Sequence, residues 1–180
     1  MSTLILSGVG AASQAAVRVP APASHPVVFA HVIKKIAFKG SYHGTIGLLW
    51  SSTGVTATSV TGHGSGTLLG SSAMSGHGTG TAANTCDPFS GSGSLSGAGS
   101  RLTIKVVTSA KTQACATSQA APTTVVVNGV ATVTGGTGKY KGAKGTLSFK
   151  GSFNVQSTTA GSSESDSFTA TLTGTLSVTR

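Results

Sequence analysis

Apolar and polar residues alternate along much of this chain with the two-residue period of a half-buried β-strand. In residues 101–107, Leu102, Ile104 and Val106 share one face, and residues 168–178 alternate apolar or Gly positions with Thr and Ser. No window shows a sustained helical period. The pattern therefore predicts an all-β protein.

Less regular segments complete a predicted set of about eight strands. Strands are expected over residues 32–38, 41–50, 55–60, 125–133 and 146–155. Two Gly-His-Gly repeats, at residues 62–67 and 76–81, predict a hairpin that turns near residues 70–72. Residues 83–100, the segment with Cys115 and Pro122, and residues 157–166 are rich in turn-forming residues and are predicted as loops.

The density of glycine in these strands favours a strongly curved sheet, because small residues let a sheet coil without steric clash. Closure into a barrel also removes the exposed edges that neutral, Thr-rich strands would otherwise present. We therefore predict an antiparallel up-and-down β-barrel of about eight strands. A two-sheet β-sandwich is the alternative.

The first thirty residues differ in composition from the rest. An apolar run of small residues, with Ala and Ser at positions that signal peptidase requires, predicts a signal peptide or disordered leader over residues 1–30. No cation precedes Arg18, which departs from a typical signal. The run is too short and too rich in Ser and Gly to form a membrane-spanning helix. Residues 31–180 are predicted to form a single barrel domain.

The chain has two cysteines, Cys86 and Cys115, and both lie in segments predicted as loops. Such a pair in an otherwise Cys-free chain predicts a disulfide and a secreted or cell-envelope location. Two free thiols are the alternative. No Cys-x-x-Cys or Cys/His cluster is present, so no structural metal site is expected.

The charge is strongly basic. Twelve Lys and Arg residues face only three acidic residues, for a formal net charge of +9. A surface of this kind attracts polyanions such as an anionic cell-wall polymer. The sequence has no Arg-rich run and no stripe of aromatics for base stacking, which argues against specific nucleic-acid binding. A basic surface that serves only solubility is the simpler alternative.

Residues 133–145, VTGGTGKYKGAKG, form the most distinctive motif. The motif resembles the hairpin of the allene oxide cyclase and dirigent barrel superfamily, and the pattern agrees over residues 125–178. The resemblance implies an eight-stranded antiparallel barrel with a mainly apolar cavity, often in a homo-oligomer. Members of that superfamily cyclise an epoxide fatty acid or steer phenoxy-radical coupling without a cofactor, and bacterial relatives include secreted proteins.

The acidic residues do not follow the catalytic plan that the resemblance implies. Dirigent-type chemistry relies on polar, often acidic, residues inside the cavity. Here Asp87 lies in the predicted cysteine turn, and Glu164 and Asp166 lie in a predicted Ser-rich loop. No catalytic residue is therefore assigned.

The glycine and lysine residues of the motif could also suggest a phosphate-binding loop. The spacing excludes one, since Lys139 is followed by Tyr140 where Ser or Thr is required, and no helix follows. Lys139, Lys141 and Lys144 are predicted to form a solvated turn, with contact to an anion as the alternative.

Other candidate residues carry weaker signals. Tyr42, His43 and Trp50 are expected to line the cavity or to pack at the barrel mouth. His63 and His77 could share a face of their hairpin, but two histidines without a third ligand bind metal poorly. No Gly-x-Ser-x-Gly elbow stands between a strand and a helix, which argues against a serine hydrolase.

The sequence favours a secreted, non-catalytic barrel that binds a small apolar ligand or associates with the cell envelope. No cofactor and no membrane span are expected. A cofactor-free cyclase or isomerase of the allene oxide cyclase type and a polyanion-binding basic barrel are the alternatives.

Overall fold

The chain runs up and down through nine strands in a computed structural model that describes residues 33–179. The strands are β1 (Ile33–Trp50), β2 (Val55–Gly66), β3 (Gly70–Gly80), β4 (Cys86–Gly97), β5 (Ser100–Val106), β6 (Gln113–Ala116), β7 (Thr123–Thr137), β8 (Lys144–Val155) and β9 (Ser163–Thr179). A short 3-10 turn, Gly138–Tyr140, connects β7 to β8. The predicted leader, residues 1–30, lies outside the described residues.

The strands close into an antiparallel barrel, which confirms the predicted fold class against the sandwich alternative. Strand β1 pairs with both β2 and β9, and β3 pairs with both β2 and β4, so the sheet returns on itself. Strands β8 and β7 continue the wall from β9.

The wall position between β4 and β7 is shared by two strands. Both β5 and β6 pair antiparallel with β4 on one side and with β7 on the other. Along β4 the partners progress from Gly97 to Gly91 for β5, and from Pro88 to Cys86 for β6. Strands β5 and β6 are therefore two halves of one interrupted strand, and residues 107–112 leave the wall between them.

The barrel has two ends that differ in their connections. At one, called here the terminal end, β1 begins and β9 finishes, and residues 67–69, 98–99 and 138–143 connect neighbouring strands. At the other, the distal end, the connections are residues 51–54, 81–85, 117–122 and 156–162.

Alternate residues of each strand face the interior, and large apolar side chains fill most of it. The cluster nearer the terminal end is built around Phe38, Tyr42, Leu69, Leu95, Leu102, Val133, Leu147, Leu172 and Leu176. The cluster nearer the distal end contains Ile46, Leu48, Trp50, Val125, Val155 and Phe168. Because burial of apolar area is the main driving force for folding, these two clusters provide most of the stability of the barrel.

The loop predictions for three segments are wrong in whole or in part. Most of residues 83–100 form β4, Cys115 lies in β6, and β9 begins at Ser163 rather than near Phe168. In β4 the glycines face inward and the serines alternate with them. The segment therefore has the two-residue period of a strand, although glycine and serine are typical of turns.

The predicted hairpin of the Gly-His-Gly repeats exists, but its register is different. The turn lies at residues 67–69, and His63 pairs with Ala73 across the hairpin instead of approaching His77. On its other side His63 pairs with His43 of β1.

The predicted disulfide is confirmed, and it fastens the interrupted strand. Cys86 of β4 and Cys115 of β6 are direct register partners, and their sulfurs are bonded. The short β6 has only four residues, so its place between β4 and β7 depends on this covalent link as well as on backbone hydrogen bonds.

Removal of the disulfide by the double substitution Cys86→Ser and Cys115→Ser should lower the free energy of unfolding by roughly 3–4 kcal/mol, because the bond closes a loop with a sequence separation of 29. Urea unfolding followed by circular dichroism measures this loss. A change below about 1 kcal/mol would show that the link adds little to β6.

Candidate functional site

A cavity of about 240 Å³ lies inside the barrel between two unlike walls. Glycines that face inward from neighbouring strands form one wall: Gly76, Gly78 and Gly80 of β3, and Gly91 and Gly93 of β4. Aromatic rings, those of Phe89, Phe149, Phe153 and Phe168, are among the bulky lining residues. The cavity exists where side chains are missing from one wall and are too few on the other to fill the space.

The backbone itself requires the glycines of this wall. A Cβ atom added to Gly78 would lie 2.6 Å from the Ser90 carbonyl oxygen, and one added to Gly91 would lie 2.6 Å from the His77 carbonyl oxygen. These distances are far below van der Waals contact, so β3 and β4 approach each other more closely on the inside than side chains permit. The inward glycines of β3 and β4 therefore cause both the curvature of the sheet and the cavity inside the barrel.

The cavity is bounded at one end by the packed core and reaches toward the distal end. Met74, Ile104 and Leu172 line its inner limit, and they also belong to the cluster at the terminal end. Val55, Thr81 and Pro88 line its outer part, close to where strands finish at the distal end.

The terminal end is closed by its own connections. Leu69 and Ala143 are fully buried there, and the Tyr140 hydroxyl donates a hydrogen bond to the Leu68 carbonyl oxygen. The motif at residues 133–145 thus forms a hairpin, and its Tyr140 packs over the barrel end against the core cluster.

Asp87 lines the cavity, and its carboxylate is held by its own chain. Oδ2 accepts a hydrogen bond from the Asn84 backbone at 2.8 Å, and Oδ1 accepts bonds from the Asn84 amide and the Thr81 hydroxyl, each at 3.1 Å. Burial would raise the pKa of Asp87, but these hydrogen bonds outweigh it and leave the pKa below its ordinary value. The carboxylate therefore fixes the connection between β3 and β4 and is not free for a ligand.

Asp87 lies in β4 rather than in a turn, and Glu164 and Asp166 likewise correct the expectation that no acid sits within a strand. Both lie in β9 in register with inward residues of β1, Glu164 opposite Leu48 and Asp166 opposite Ile46. Glu164 accepts a hydrogen bond from Trp50 Nε1 at 2.9 Å and another from the Gln156 backbone at 2.8 Å. It joins the mouth of the barrel to the connection between β8 and β9.

Asp166 is the less satisfied of the two acids. Its Oδ2 atom is buried and has no hydrogen-bond partner among the described residues. Burial, and then the nearby charge of Glu164, raise the pKa of Asp166 above its ordinary value. Neither acid is among the residues that line the cavity.

The structure separates the three residues that were expected to line the cavity or to pack at its mouth. Tyr42 is buried in the core, where its hydroxyl lies 3.0 Å from the Ser72 hydroxyl, and Trp50 is buried in the cluster at the distal end. His43 is exposed on the outer surface, because it alternates with the inward residues of β1. None of the three lines the cavity.

Lys139, Lys141 and Lys144 are exposed at the terminal end, on or beside the connection between β7 and β8. The Lys144 ammonium donates a hydrogen bond to the Thr134 carbonyl oxygen. The structure thus places the three lysines on a solvated turn, and contact with an anion stays a prediction.

The sequence analysis missed the residues that shape the cavity. A signal was present, since Gly alternates with His or Thr at positions 76–80, and Gly or Leu alternates with Ser at positions 91–97, which is the period of a strand. Because glycine has little hydropathy contrast with serine, this alternation does not stand out in a pattern of apolar and polar residues.

Comparisons with protein-family models, with curated proteins and with solved structures find no match to this chain. The resemblance to the allene oxide cyclase and dirigent superfamily therefore stays a prediction that depends on the motif alone. Within the described residues, no helix has the length and apolar character that crossing a membrane requires.

Substitution of Asp166 by Asn should stabilise the protein at neutral pH by about 0.5 kcal/mol, because it removes a partly buried charge that lies near Glu164 and that solvent screens in part. The raised pKa means that the folded state binds the proton more tightly than the unfolded state. The gain should therefore shrink as the pH falls through the pKa of folded Asp166. Urea unfolding at a series of pH values measures the difference in the free energy of unfolding between the variant and the unchanged protein.

Asp87→Asn is the matched control, and it should lower the stability of the protein at neutral pH where Asp166→Asn raises it. The lowered pKa of Asp87 gives stability that is present at neutral pH and is lost as the pH falls through that lowered pKa. Destabilisation by Asp166→Asn at neutral pH would contradict the electrostatic account.

Proposed function

We propose that this chain is an exported, non-catalytic barrel that binds a small, neutral, apolar molecule in its interior cavity. The observation that carries the proposal is the pairing of an inward glycine wall with phenylalanine rings around a space of about 240 Å³. Empty apolar space costs dispersion contacts that a matching ligand would restore. Ligand pockets of proteins are mostly apolar in this way.

The volume of the cavity limits the size of the ligand. An apolar cavity of about 150 Å³ in another protein accommodates benzene, and this one is larger. A bicyclic aromatic or a short branched hydrocarbon fits that range, whereas a long fatty acid would have to extend beyond the distal end.

The polar groups near the cavity favour binding over chemistry. Among residues 33–179, Asp87 is the acidic residue that lines the cavity. Its carboxylate oxygens already accept hydrogen bonds from Asn84 and Thr81. A ligand in the cavity would thus meet apolar side chains and glycine backbone, and affinity would come from burial of apolar surface.

Export is supported by two observations of different kinds. The Cys86–Cys115 disulfide is typical of oxidising compartments. The apolar run of small residues within residues 1–30 resembles the later part of a secretion signal, although no cation precedes Arg18.

Filling the cavity should weaken binding of the ligand at least tenfold. Ala170→Leu adds a branched side chain to a residue that lines the cavity, and Thr171→Leu places the same side chain on the exposed face of β9 as a control. We expect 1-aminonaphthalene, a neutral bicyclic fluorophore, to bind the unchanged protein and Thr171→Leu, and to lose at least tenfold in affinity with Ala170→Leu, roughly 1.4 kcal/mol.

Fluorescence titration measures the affinity, and circular dichroism confirms that each variant is folded. Equal binding by both leucine variants would place the fluorophore elsewhere and contradict the proposal. Ala57→Leu, which enters the same cavity from β2, provides a second test if Ala170→Leu does not fold.

A second candidate function, a cofactor-free cyclase or isomerase, is favoured by Asp166 alone. Asp166 lies outside the cavity lining but two residues along β9 from Phe168, which lines it, and an acid with a raised pKa and an unpaired oxygen can transfer a proton to a substrate that reaches it. The test is conversion of an unsaturated epoxide fatty acid to a cyclic product of measured optical purity. Enrichment of one enantiomer that disappears in Asp166→Asn would support catalysis, and a racemic product would exclude it for this substrate.

A further inference from the structure

The charges of the barrel are separated along its axis. Seven of the ten Lys and Arg residues that the structure describes lie at or near the terminal end: Lys34, Lys35, Lys39, Arg101, Lys139, Lys141 and Lys144. The acidic residues of the chain, Asp87, Glu164 and Asp166, all lie near the distal end. No acidic side chain is therefore available to neutralise the seven cations, which are called here the basic rim.

The basic rim is exposed and covers several neighbouring strands. All seven of its side chains are exposed. Lys35 of β1 and Lys144 of β8 are both register partners of Ser177, which lies between them on β9. Since neighbouring strands are about 4.8 Å apart, these two lysines are separated by about 10 Å of wall. Arg101 extends the rim to β5, on the far side of β7.

The turns of the terminal end let these cations approach a flat surface. Gly70, Ala98, Gly99 and Gly142 lie in or beside the turns, and all are exposed. Such small residues project less than lysine side chains do. Behind them the fully buried Leu69 and Ala143 close the barrel, so the end is blunt and cationic.

We propose that the basic rim docks the barrel end-on onto a membrane surface that contains anionic lipid. Juxtamembrane cations are attracted to such surfaces by electrostatics that falls off within a Debye length, which suits a cluster at one end of the molecule. A linear polyanion would instead be matched by a cationic groove or track. End-on docking directs the distal end, toward which the cavity extends, away from the lipid.

Two triple variants with the same net charge test the location of the docking surface. Lys35→Gln, Lys139→Gln and Lys141→Gln remove three cations of the rim. Lys105→Gln, Lys111→Gln and Lys150→Gln remove three exposed cations from elsewhere on the barrel. Each set lowers the charge by three and leaves the lining of the cavity unchanged, since Lys105 borders a separate groove on the outer face.

Sedimentation with large vesicles of phosphatidylcholine and phosphatidylglycerol at low salt measures the partition coefficient. We expect binding that disappears in pure phosphatidylcholine and weakens with salt. The rim variant should lose on the order of 100-fold, at about fivefold per cation, and the control variant much less. Equal losses would show that net charge alone acts, and no binding to the anionic vesicles would overturn the proposal.

Soluble heparin distinguishes the competing partner. Rim-dependent binding to heparin without binding to vesicles would assign the rim to a soluble polyanion and refute membrane docking. Binding of 1-aminonaphthalene should be the same in both triple variants, so the docking proposal and the ligand proposal can fail separately.

The single tryptophan of the chain reports the orientation. Trp50 ends β1 at the distal end, so end-on docking keeps it far from the lipid. A quencher attached to lipid headgroups should leave its fluorescence nearly unchanged. The same quencher should strongly reduce the emission of a fluorophore attached at Ser71→Cys, near the terminal end. Strong quenching of Trp50 would contradict the end-on orientation.

Discussion

The close approach of β3 and β4 on the inside of the barrel is the constraint on which the rest of the structure depends. Gly76 faces Gly93 and Gly78 faces Gly91, and a Cβ atom at these positions would collide with the neighbouring backbone. The absence of side chains lets the sheet curve tightly there, and tight curvature lets a barrel of eight wall positions close. The same absence leaves the cavity.

The remainder of the barrel stabilises this hollow wall. The cluster around Leu95, Leu102 and Leu147 packs the half at the terminal end, while the disulfide holds β6 against β4 beside the cavity. Asp87 fixes the connection that follows β3 through hydrogen bonds within its own segment. A cavity lined by glycine contributes little burial, so stability has to come from these neighbouring contacts.

The sequence was sufficient for the fold class and for the disulfide, because alternation in β5 and β9 and an isolated cysteine pair are direct physical signals. The sequence was not sufficient to predict β4 as a strand, because glycine and serine alternate there without a contrast in hydropathy. It also failed at Glu164 and Asp166, since two acids among serines resemble a loop until the register with β1 places them inside. The cavity could not be predicted because it depends on glycines of two strands meeting across the wall.

A crystal of the protein under xenon pressure tests the central claim most directly, since xenon occupies dry apolar cavities without needing a specific ligand. We expect a xenon atom between the glycines of β3 and β4 and the rings of Phe149 and Phe153. Ordered waters in that space, or side chains that fill it, would contradict the claim that inward glycines make an apolar binding cavity.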